Sequence, residues 1–315
     1  MRITVAKWNS ADRPVYIASA FVVLILAVGT IYTLVAQGTA TLLSPSYLMQ
    51  QLQIGSFLGV VAAGMMIVIL IGHIDLSVPW TLTTAAMLAT AVGGPWAILL
   101  GLSLGAVVGL VNGVGVAYLR LPSMIFTLAV NAVLQGSMVA MTGGTSPQSQ
   151  ATELMRFLGA GTLMGIPVAL LVWTLVSVCV STVLTRTPFG RSLYIVGNSE
   201  AAAYLSGIPN KRVIVVSFIL CGLLTALAGL MLAGYSAKAY QGMGDLYALP
   251  AIAAVVIGGA NILGGSGKYR GTVAGVLVVV FLNSVLSIMQ MSEAIRQIVY
   301  GFVILTMLLV YRRKA

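Results

Sequence analysis

The chain has 315 residues, 59% of them hydrophobic and only 7% charged, with 35 glycines and a formal net charge of +10. This composition excludes a soluble domain with a charged surface, and the scatter of basic residues over short segments excludes a nucleic-acid-binding face. Several apolar runs exceed the roughly 18 residues that are typical of a transmembrane helix. Glycine-rich helices also suit a bilayer, where small residues let backbones approach. The class predicted is an all-α, polytopic membrane protein.

The first apolar run, 15–36, follows a basic N-terminus. It is longer than the apolar region of a signal peptide, so we predict a retained first span, although VAQGTA (35–40) faintly resembles a cleavage site. Breaks rich in Gly, Pro and polar residues separate nine further runs. The ten predicted spans are 15–36, 50–71, 76–92, 97–118, 122–141, 163–184, 213–234, 248–263, 271–290 and 294–311. The eighth is short enough to be broken or tilted.

The basic residues predict the orientation of these spans. With both termini in the cytoplasm, three basic residues lie outside: Arg156, Lys238 and Arg296. The thirteen inside are Arg2, Lys7, Arg13, Arg120, Arg186, Arg191, Lys211, Arg212, Lys268, Arg270, Arg312, Arg313 and Lys314. This bias agrees with the positive-inside rule and favours ten spans, since loss of one span would invert the second half.

No segment is long enough for a separate soluble domain, so we predict one transmembrane domain over 1–315. The longest outer segment, 142–162, contains ELMRFL, which is typical of a short amphipathic helix. The glycine-rich stretch GGANILGGSGKYRG (258–271) lacks the Gly-Lys-Ser/Thr ending of a phosphate-binding loop and favours a tight turn or broken span. With one histidine and no ligand cluster or triad, we expect no catalytic residue, metal or bound cofactor. Cys179 and Cys221 lie in apolar runs and are interpreted as small buried hydrophobes.

Ionisable side chains interrupt the apolar pattern at ILIGHIDLSVPW (69–80). Asp75 precedes a span and suits a helix N-terminus, where a carboxylate interacts favourably with free N–H groups. The alternative is a role for Asp75 in a solute pathway, a gate or a contact between subunits. His73 is either a hydrogen-bonded structural residue or a proton relay.

Amide side chains lie within the predicted spans at Asn112, Asn131, Gln135 and Asn283. Such side chains usually hydrogen-bond between transmembrane helices, and a role in lining the solute pathway is the alternative. In the outer stretch YSAKAYQGMGDLY, Lys238 and Asp245 are interpreted as solvated charges, with contact to an external partner as the alternative.

The polar segment 186–212 lies between two apolar runs and is predicted to face the cytoplasm. Ser199 precedes Glu200 and three alanines, and Gly207 and Pro209 follow, which predicts a short helix with a Ser or Asn cap and a glycine stop. Its exposed face is small, which suits insertion into a groove of another protein. A helix lying at the membrane interface is an equal alternative from composition alone.

The stretch FGRSLYIVGNSEAAAYLSGI (189–208) resembles the cytoplasmic coupling segment of the ribose-type permease subunits of bacterial ABC importers. That family's pattern runs approximately Gly-Arg-x-x-Tyr/Phe-Ala-x-Gly-Gly-Asn-x-x-Ala-Ala-x-x-Ser-Gly-Ile. The matching positions are Gly190, Arg191, Tyr194, Gly197, Ala201, Ala202, Ser206, Gly207 and Ile208. Three more stretches resemble the family, in order: GHIDLS (72–77), AIAAVVIGGANILGGSGKYRGTVAGVLVVVFLN (251–283) and QIVYGFVILTMLLVYRRK (297–314).

Four departures from the family pattern stand out. Asn-Ser occupies 198–199 where Gly-Asn is common, His73 replaces a glycine, and Pro-Trp occupies 79–80 where Gly-Ser is common. Ala248 and Pro250 stand where ribose-type members often carry acidic residues. The resemblance therefore implies a related solute that differs from ribose, while the coupling segment is better preserved.

The resemblance implies a non-catalytic permease subunit with a type II-importer-like fold in the bacterial inner membrane. It implies uptake of a monosaccharide or related polyol, delivered by a periplasmic solute-binding protein. A second permease copy or a paralogue completes the pathway, and a separate ATPase subunit binds ATP and Mg²⁺. The implied coupling residues are Ser199, Glu200, Ala201, Ala202, Tyr204, Leu205, Ser206 and Gly207. The alternatives are an ion-driven secondary transporter that uses Asp75 and His73, an ABC permease for branched-chain amino acids or nucleosides, and a purely structural membrane protein.

Overall fold

The computed structural model describes residues 13–311, and this part of the chain is mostly helical. Its helices are α1 (Arg13–Gln37), α2 (Pro45–Leu70), α3 (Val78–Val92), α4 (Ala97–Ala117), α5 (Ser123–Thr142), α6 (Glu153–Ala160), α7 (Val168–Arg186), α8 (Pro188–Asn198), α9 (Glu200–Leu205), α10 (Asn210–Tyr235), α11 (Ala248–Ile257), α12 (Tyr269–Ile288) and α13 (Glu293–Tyr311). A 3-10 turn covers Thr41–Leu43, and β1 (Thr162–Leu163) pairs antiparallel with β2 (Ile166–Pro167). The predicted all-α class is confirmed.

Each of the ten predicted spans coincides with one of these helices, namely α1 to α5, α7 and α10 to α13. Within the described residues, seven helices are long and apolar enough to cross a membrane: α1, α2, α4, α5, α7, α10 and α12. The apolar helices α3 and α11 are shorter. The chain is therefore a multi-pass membrane protein, and the count of ten crossings stays a prediction. The amphipathic helix predicted at ELMRFL is confirmed as α6.

The eighth predicted span, 248–263, is shorter in the structure, because α11 ends at Ile257. A helix of 10 residues is about 15 Å long, half of a hydrocarbon core about 30 Å thick. The helix stops because Gly258 packs against the backbone of Gly271 and Gly259 takes a left-handed φ of 84°. The stretch from Gly258 to Lys268 is a turn between α11 and α12, as its glycines predicted.

The centre of the bundle is α10, which packs against α2, α3, α4 and α6. Its crossing with α4 is a backbone contact made by glycines: a Cβ on Gly105 would lie 2.4 Å from the carbonyl oxygen of Gly222, and one on Gly109 would lie 2.3 Å from that of Phe218. Small residues at such crossings allow close van der Waals packing, which is the main source of helix association in a bilayer. Of the two cysteines, Cys221 is buried as predicted, whereas Cys179 is exposed on α7.

The loops of the bundle gather at two ends. At one end the segment 186–212 contacts the C-terminus of α2 and the turn between α11 and α12, and Pro14 lies against Gly259. We call this the coupling end. At the other, distal end, α6 packs on the end of α10, and Thr83 bonds to Gly244. Arg2, Lys7, Arg312, Arg313 and Lys314 lie outside the described residues, and the other eight basic residues assigned to the cytoplasm belong to elements of the coupling end.

The helix lengths repeat along the chain. The helices α2, α3, α4 and α5 have 26, 15, 21 and 20 residues, and α10, α11, α12 and α13 have 26, 10, 20 and 19. Since α2 ends at the coupling end and α10 ends at the distal end, the two sets run in opposite directions. An inverted repeat of this kind is a common construction of membrane transporters.

Candidate functional site: a coupling segment and two cavities

The segment 186–212 forms two helices where the sequence predicted one. The first, α8, begins at Pro188, and the hydroxyl of Thr187 accepts a bond from the Gly190 N–H. Pro is favoured at the first helical position because its missing N–H needs no partner there. Its side chains Leu193 and Val196 are buried against the bundle. The extra helix positions the second one, α9, at the surface of the coupling end.

The second helix, α9, has the predicted cap and stop. The Ser199 hydroxyl accepts a bond from the Ala202 N–H, and Gly207 takes a left-handed φ of 77° just after the helix. Only Ala203 points into the protein. The prediction of a small exposed face is wrong, since Tyr204 is 75% and Leu205 is 86% exposed. Large exposed apolar side chains in an otherwise polar segment are typical of a contact with another protein or with the membrane.

A junction of three backbones joins this segment to the membrane-spanning helices. The carbonyl oxygen of Leu70, at the end of α2, accepts a bond of 2.9 Å from the Gly265 N–H. Gly197, at the end of α8, lies against both partners: a Cβ there would sit 1.9 Å from the Leu70 oxygen and 2.6 Å from the Gly265 nitrogen. The Asn198 amide donates to the Gly265 carbonyl, and the Tyr194 hydroxyl donates to that of Gly267. We call these contacts the glycine junction.

Asp75 lies between α2 and α3 and is 2% exposed. Its Oδ1 accepts bonds from the backbone N–H (2.9 Å) and hydroxyl (2.6 Å) of Ser77, and the Asn112 amide of α4 approaches within 3.3 Å. The helix cap position belongs to Ser77, so Asp75 supports the helix start from two residues before it. Burial raises the pKa of Asp75, and the bonds from Ser77 and Asn112 oppose the rise.

A row of polar side chains on α5 holds the same segment, and sequence reasoning identified only one member of it. Ser123, Thr127 and Asn131 recur every fourth residue and so share one face of the helix. They accept bonds from the backbone N–H groups of Ile74, Leu76 and Trp80 at 3.4, 2.9 and 3.2 Å. Asn131 thereby satisfies a free N–H in the first turn of α3. The four-residue period was the signal that could have revealed Ser123 and Thr127.

At the coupling end, a cavity of about 1100 Å³ separates α9 and the start of α10 from the link between α4 and α5. Its ionisable lining residues are His73, Arg120, Glu200, Lys211 and Arg212. His73 Nε2 lies 3.9 Å from a carboxylate oxygen of Glu200. Burial lowers the pKa of His73, and the Glu200 charge opposes this, so a neutral imidazole is favoured near neutral pH.

At the distal end, a second cavity of about 350 Å³ lies where the loop after α10 meets the joint of α12 and α13. It contains Asn283, which sequence reasoning selected, together with Asp245. It also contains Glu293 and Arg296, to which sequence reasoning gave no role at a site. The Arg296 guanidinium donates to Asn283 Oδ1 at 3.1 Å. Of the selected pathway residues, the structure brings His73, Asp75, Asn112 and Asn131 to the region around the coupling end and leaves Asn283 at the other end.

No group of three or more histidine, cysteine or acidic side chains that could hold a metal ion occurs within residues 13–311. The polar side chains named above instead form hydrogen bonds with backbone N–H groups, form hydrogen bonds with one another, or line the two cavities.

Long apolar helices crossing through glycines, with a polar helix pair at one end, define a multi-pass membrane protein. Residues 47–308 match the family described as the permease component of the branched-chain amino acid transport system, and the chain belongs to this family. The resemblance found in the sequence motifs is thereby confirmed.

Curated relatives agree with this assignment. The chain is 38% identical to the ribose import permease protein RbsC of Bacillus subtilis (strain 168) over 287 residues, 87% of this chain and 89% of the relative. Identity to RbsC of Escherichia coli (strain K12) is 36% over 285 residues, 86% and 89% of the two chains. The autoinducer 2 import system permease protein LsrD of Escherichia coli O9:H4 (strain HS) is 34% identical over 236 residues, 72% of each chain. No solved structure gives a significant match.

Proposed function

We propose that this chain is the membrane-spanning permease subunit of an ATP-driven ABC importer for a monosaccharide or related polyol. The observation that carries the proposal is the family membership over residues 47–308, together with relatives whose names assign them ribose and autoinducer 2 import. As a permease the whole chain, 1–315, is one non-catalytic unit, with ten crossings and both termini in the cytoplasm of a bacterial inner membrane. ATP and Mg²⁺ belong to a separate ATPase subunit.

The coupling residues are those of α9 and its flanks, from Ser199 to Gly207. Tyr204 and Leu205 are the two large side chains that α9 exposes, and they enter a cleft of the ATPase. Ala203 and the bond from the Asn210 amide to the Glu200 carbonyl hold α9 on the permease. A short capped helix is a suitable lever, since its shape does not change when its partner moves.

Movement of α9 enters the bundle at two places. The glycine junction links α8 to the end of α2 and to the turn before α12, where the packing leaves no room for independent motion. His73, in the segment between α2 and α3, approaches Glu200 of α9. The bond between Asn112 and Asp75 supports the same segment. We assign His73, Asp75, Asn112 and Asn131 to the support of the inner gate and Asn283 to the outer part of the solute pathway.

Transport needs two states that ATP and solute stabilise differently, and it does not need tight solute binding. A second permease copy or a paralogue supplies the facing half of the pathway. A periplasmic solute-binding protein delivers the solute from outside. The bilayer is the only other partner required.

The experiment tests α9 as the ATPase contact. Leu205→Asp places a charge at the centre of the apolar contact, and replacement of Glu200–Gly207 by a neutral linker removes the contact altogether. Both variants should insert in the membrane and lose the co-purifying ATPase. The control is Leu163→Asp, because Leu163 is 52% exposed on the distal hairpin and lies away from α9.

Loss of the ATPase with the α9 variants, and retention with Leu163→Asp, is the expected result. Full association and solute-stimulated ATP hydrolysis in the linker variant would overturn the assignment of the coupling residues. Uptake that is independent of ATP and sensitive to uncouplers would favour the ion-driven alternative instead.

A further inference from the structure

The cavity at the distal end has the lining of a small-molecule site. Its polar groups come from three separate elements, with Asp245 in the loop after α10, Asn283 on α12 and Arg296 on α13. Tyr247 and Tyr300 add aromatic surface. A volume of about 350 Å³ stands at the small end of the roughly 300–1,000 Å³ typical of ligand pockets. It therefore suits a solute of monosaccharide size.

Arg296 is the most informative residue of this cavity. One guanidinium nitrogen donates to Asn283 Oδ1 at 3.1 Å and to the Ser287 hydroxyl at 3.0 Å, and it lies 3.4 Å from a Glu293 oxygen. The guanidinium carries further N–H donors besides these, and Arg296 lines the cavity. A hydroxyl oxygen of a solute in the cavity can therefore accept from Arg296.

The charges of the lining select the kind of solute. Asp245 and Glu293 are two carboxylates against the single guanidinium of Arg296, so the cavity disfavours anions. Carboxylate and amide oxygens accept bonds from hydroxyl groups, and guanidinium groups donate to them. Tyrosine rings offer a flat apolar surface beside a polar tip. This combination fits a neutral solute with many hydroxyl groups.

The inverted repeat relates this cavity to the larger one at the coupling end. The cavity at the coupling end is lined by the loop after α2, the joint of α4 and α5, and the start of α10. The distal cavity is lined by the corresponding parts of the other repeat: the loop after α10, the joint of α12 and α13, and the first half of α2. The two loops even share a local pattern, a left-handed glycine three residues before an Asp-Leu pair, at Gly72 and Asp75 and at Gly242 and Asp245. The cavities are thus equivalent chambers at opposite ends.

We propose that the distal cavity is the solute-binding chamber open to the side of delivery, and that it takes a neutral polyhydroxylated solute of monosaccharide size. The proposal rests on the proposed importer function. It also gives Arg296 a reason to lie on the side of the membrane that basic residues usually avoid, since the guanidinium orients Asn283 and lines the chamber.

The test is site-directed cysteine labelling in right-side-out membrane vesicles. The exposed Cys179 is first replaced by serine, and the buried Cys221 is kept. Asn283→Cys or, on the neighbouring helix, Gln297→Cys then reports on the cavity, since both positions line it. The control is Met164→Cys. Met164 is 98% exposed on the distal hairpin and lies outside the cavity lining. The reagent is a membrane-impermeant maleimide, and the probes are neutral pentoses and hexoses, with D-ribose 5-phosphate as the anionic counterpart.

Both cavity cysteines should be labelled from outside, and a neutral sugar at about ten times its Kd should slow that labelling about tenfold, because only empty sites react. The sugar phosphate should not protect, and labelling of Met164→Cys should not change. No labelling of either cavity cysteine from outside, or no protection by any neutral sugar, would overturn the proposal.

The importer function is measured separately, as association of the parent chain with an ATPase in the same membranes. Absent protection alongside intact ATPase association would refute the chamber alone. Protection by sugar without an ATPase would keep the chamber and refute ATP-driven coupling.

Discussion

Replacing Gly197 by alanine perturbs the glycine junction without touching the exposed face of α9. The added Cβ would sit 1.9 Å from the Leu70 carbonyl oxygen and 2.6 Å from the Gly265 nitrogen, far inside van der Waals contact. These two atoms share a hydrogen bond of 2.9 Å, so the methyl group must either break that bond or push α8 away from the bundle. Both responses loosen the link between the coupling segment and α2.

The magnitude follows from overpacking, which costs typically about 1–3 kcal/mol. Gly197→Ala should therefore lower the Tm of the purified chain and strongly reduce solute-stimulated ATP hydrolysis and uptake. Association with the ATPase should persist, because Tyr204 and Leu205 remain exposed. The matched control is Gly136→Ala on α5, where an added Cβ meets nothing within 4 Å and alanine is the better helix former.

A Gly197→Ala chain with unchanged Tm, full uptake and full solute-stimulated hydrolysis would refute the role of the junction. Loss of ATPase association in this variant would also contradict the account, because it would mean that the junction forms the docking surface and does not transmit its movement.

Two further predictions concern the segment between α2 and α3. Asp75→Asn should lower the free energy of unfolding by about 1–3 kcal/mol, because it weakens the bonds from Ser77 and Asn112. The double variant that exchanges the two residues, Asp75→Asn with Asn112→Asp, should recover part of this loss in thermal unfolding. No recovery would argue against a mainly structural role of Asp75. Because burial lowers the pKa of His73, the unfolded chain binds this proton more readily, so stability should be complete above about pH 6.5 and should fall as the pH decreases. His73→Gln should flatten the Tm of the purified chain between pH 5 and 7.5, and an unchanged pH profile would exclude His73 as its source.

Local signals in the sequence predicted the helices and the coupling segment. Apolar runs and glycine or proline breaks located the ten long or apolar helices among residues 13–311, because the hydrophobic pattern that drives insertion is itself local. The cap and stop of α9 were equally local, in Ser199 and Gly207. The main error, the length of α11, arose because apolar residues continue beyond Ile257 while the glycines there turn the backbone.

The candidate sites depend on contacts between distant segments, so they could be predicted from the sequence only in part. Asn131 was identifiable as an amide in a span, yet its partner is a backbone N–H at Trp80 that no side-chain pattern reveals. Gly197 stood out only by resemblance, since its importance lies in the approach of Leu70 and Gly265. Arg296 was assigned only to the outer side of the membrane, because its partner Asn283 lies across the joint of α12 and α13.

The central claim is tested most directly by purifying the tagged, unmodified chain from its native membrane in mild detergent and identifying the co-purifying proteins by mass spectrometry. The account predicts an ATPase subunit in roughly equal amount to the chain. A clean self-oligomer without an ATPase, in several detergents, would contradict the account and would favour a gradient-driven transporter that uses Asp75 and His73.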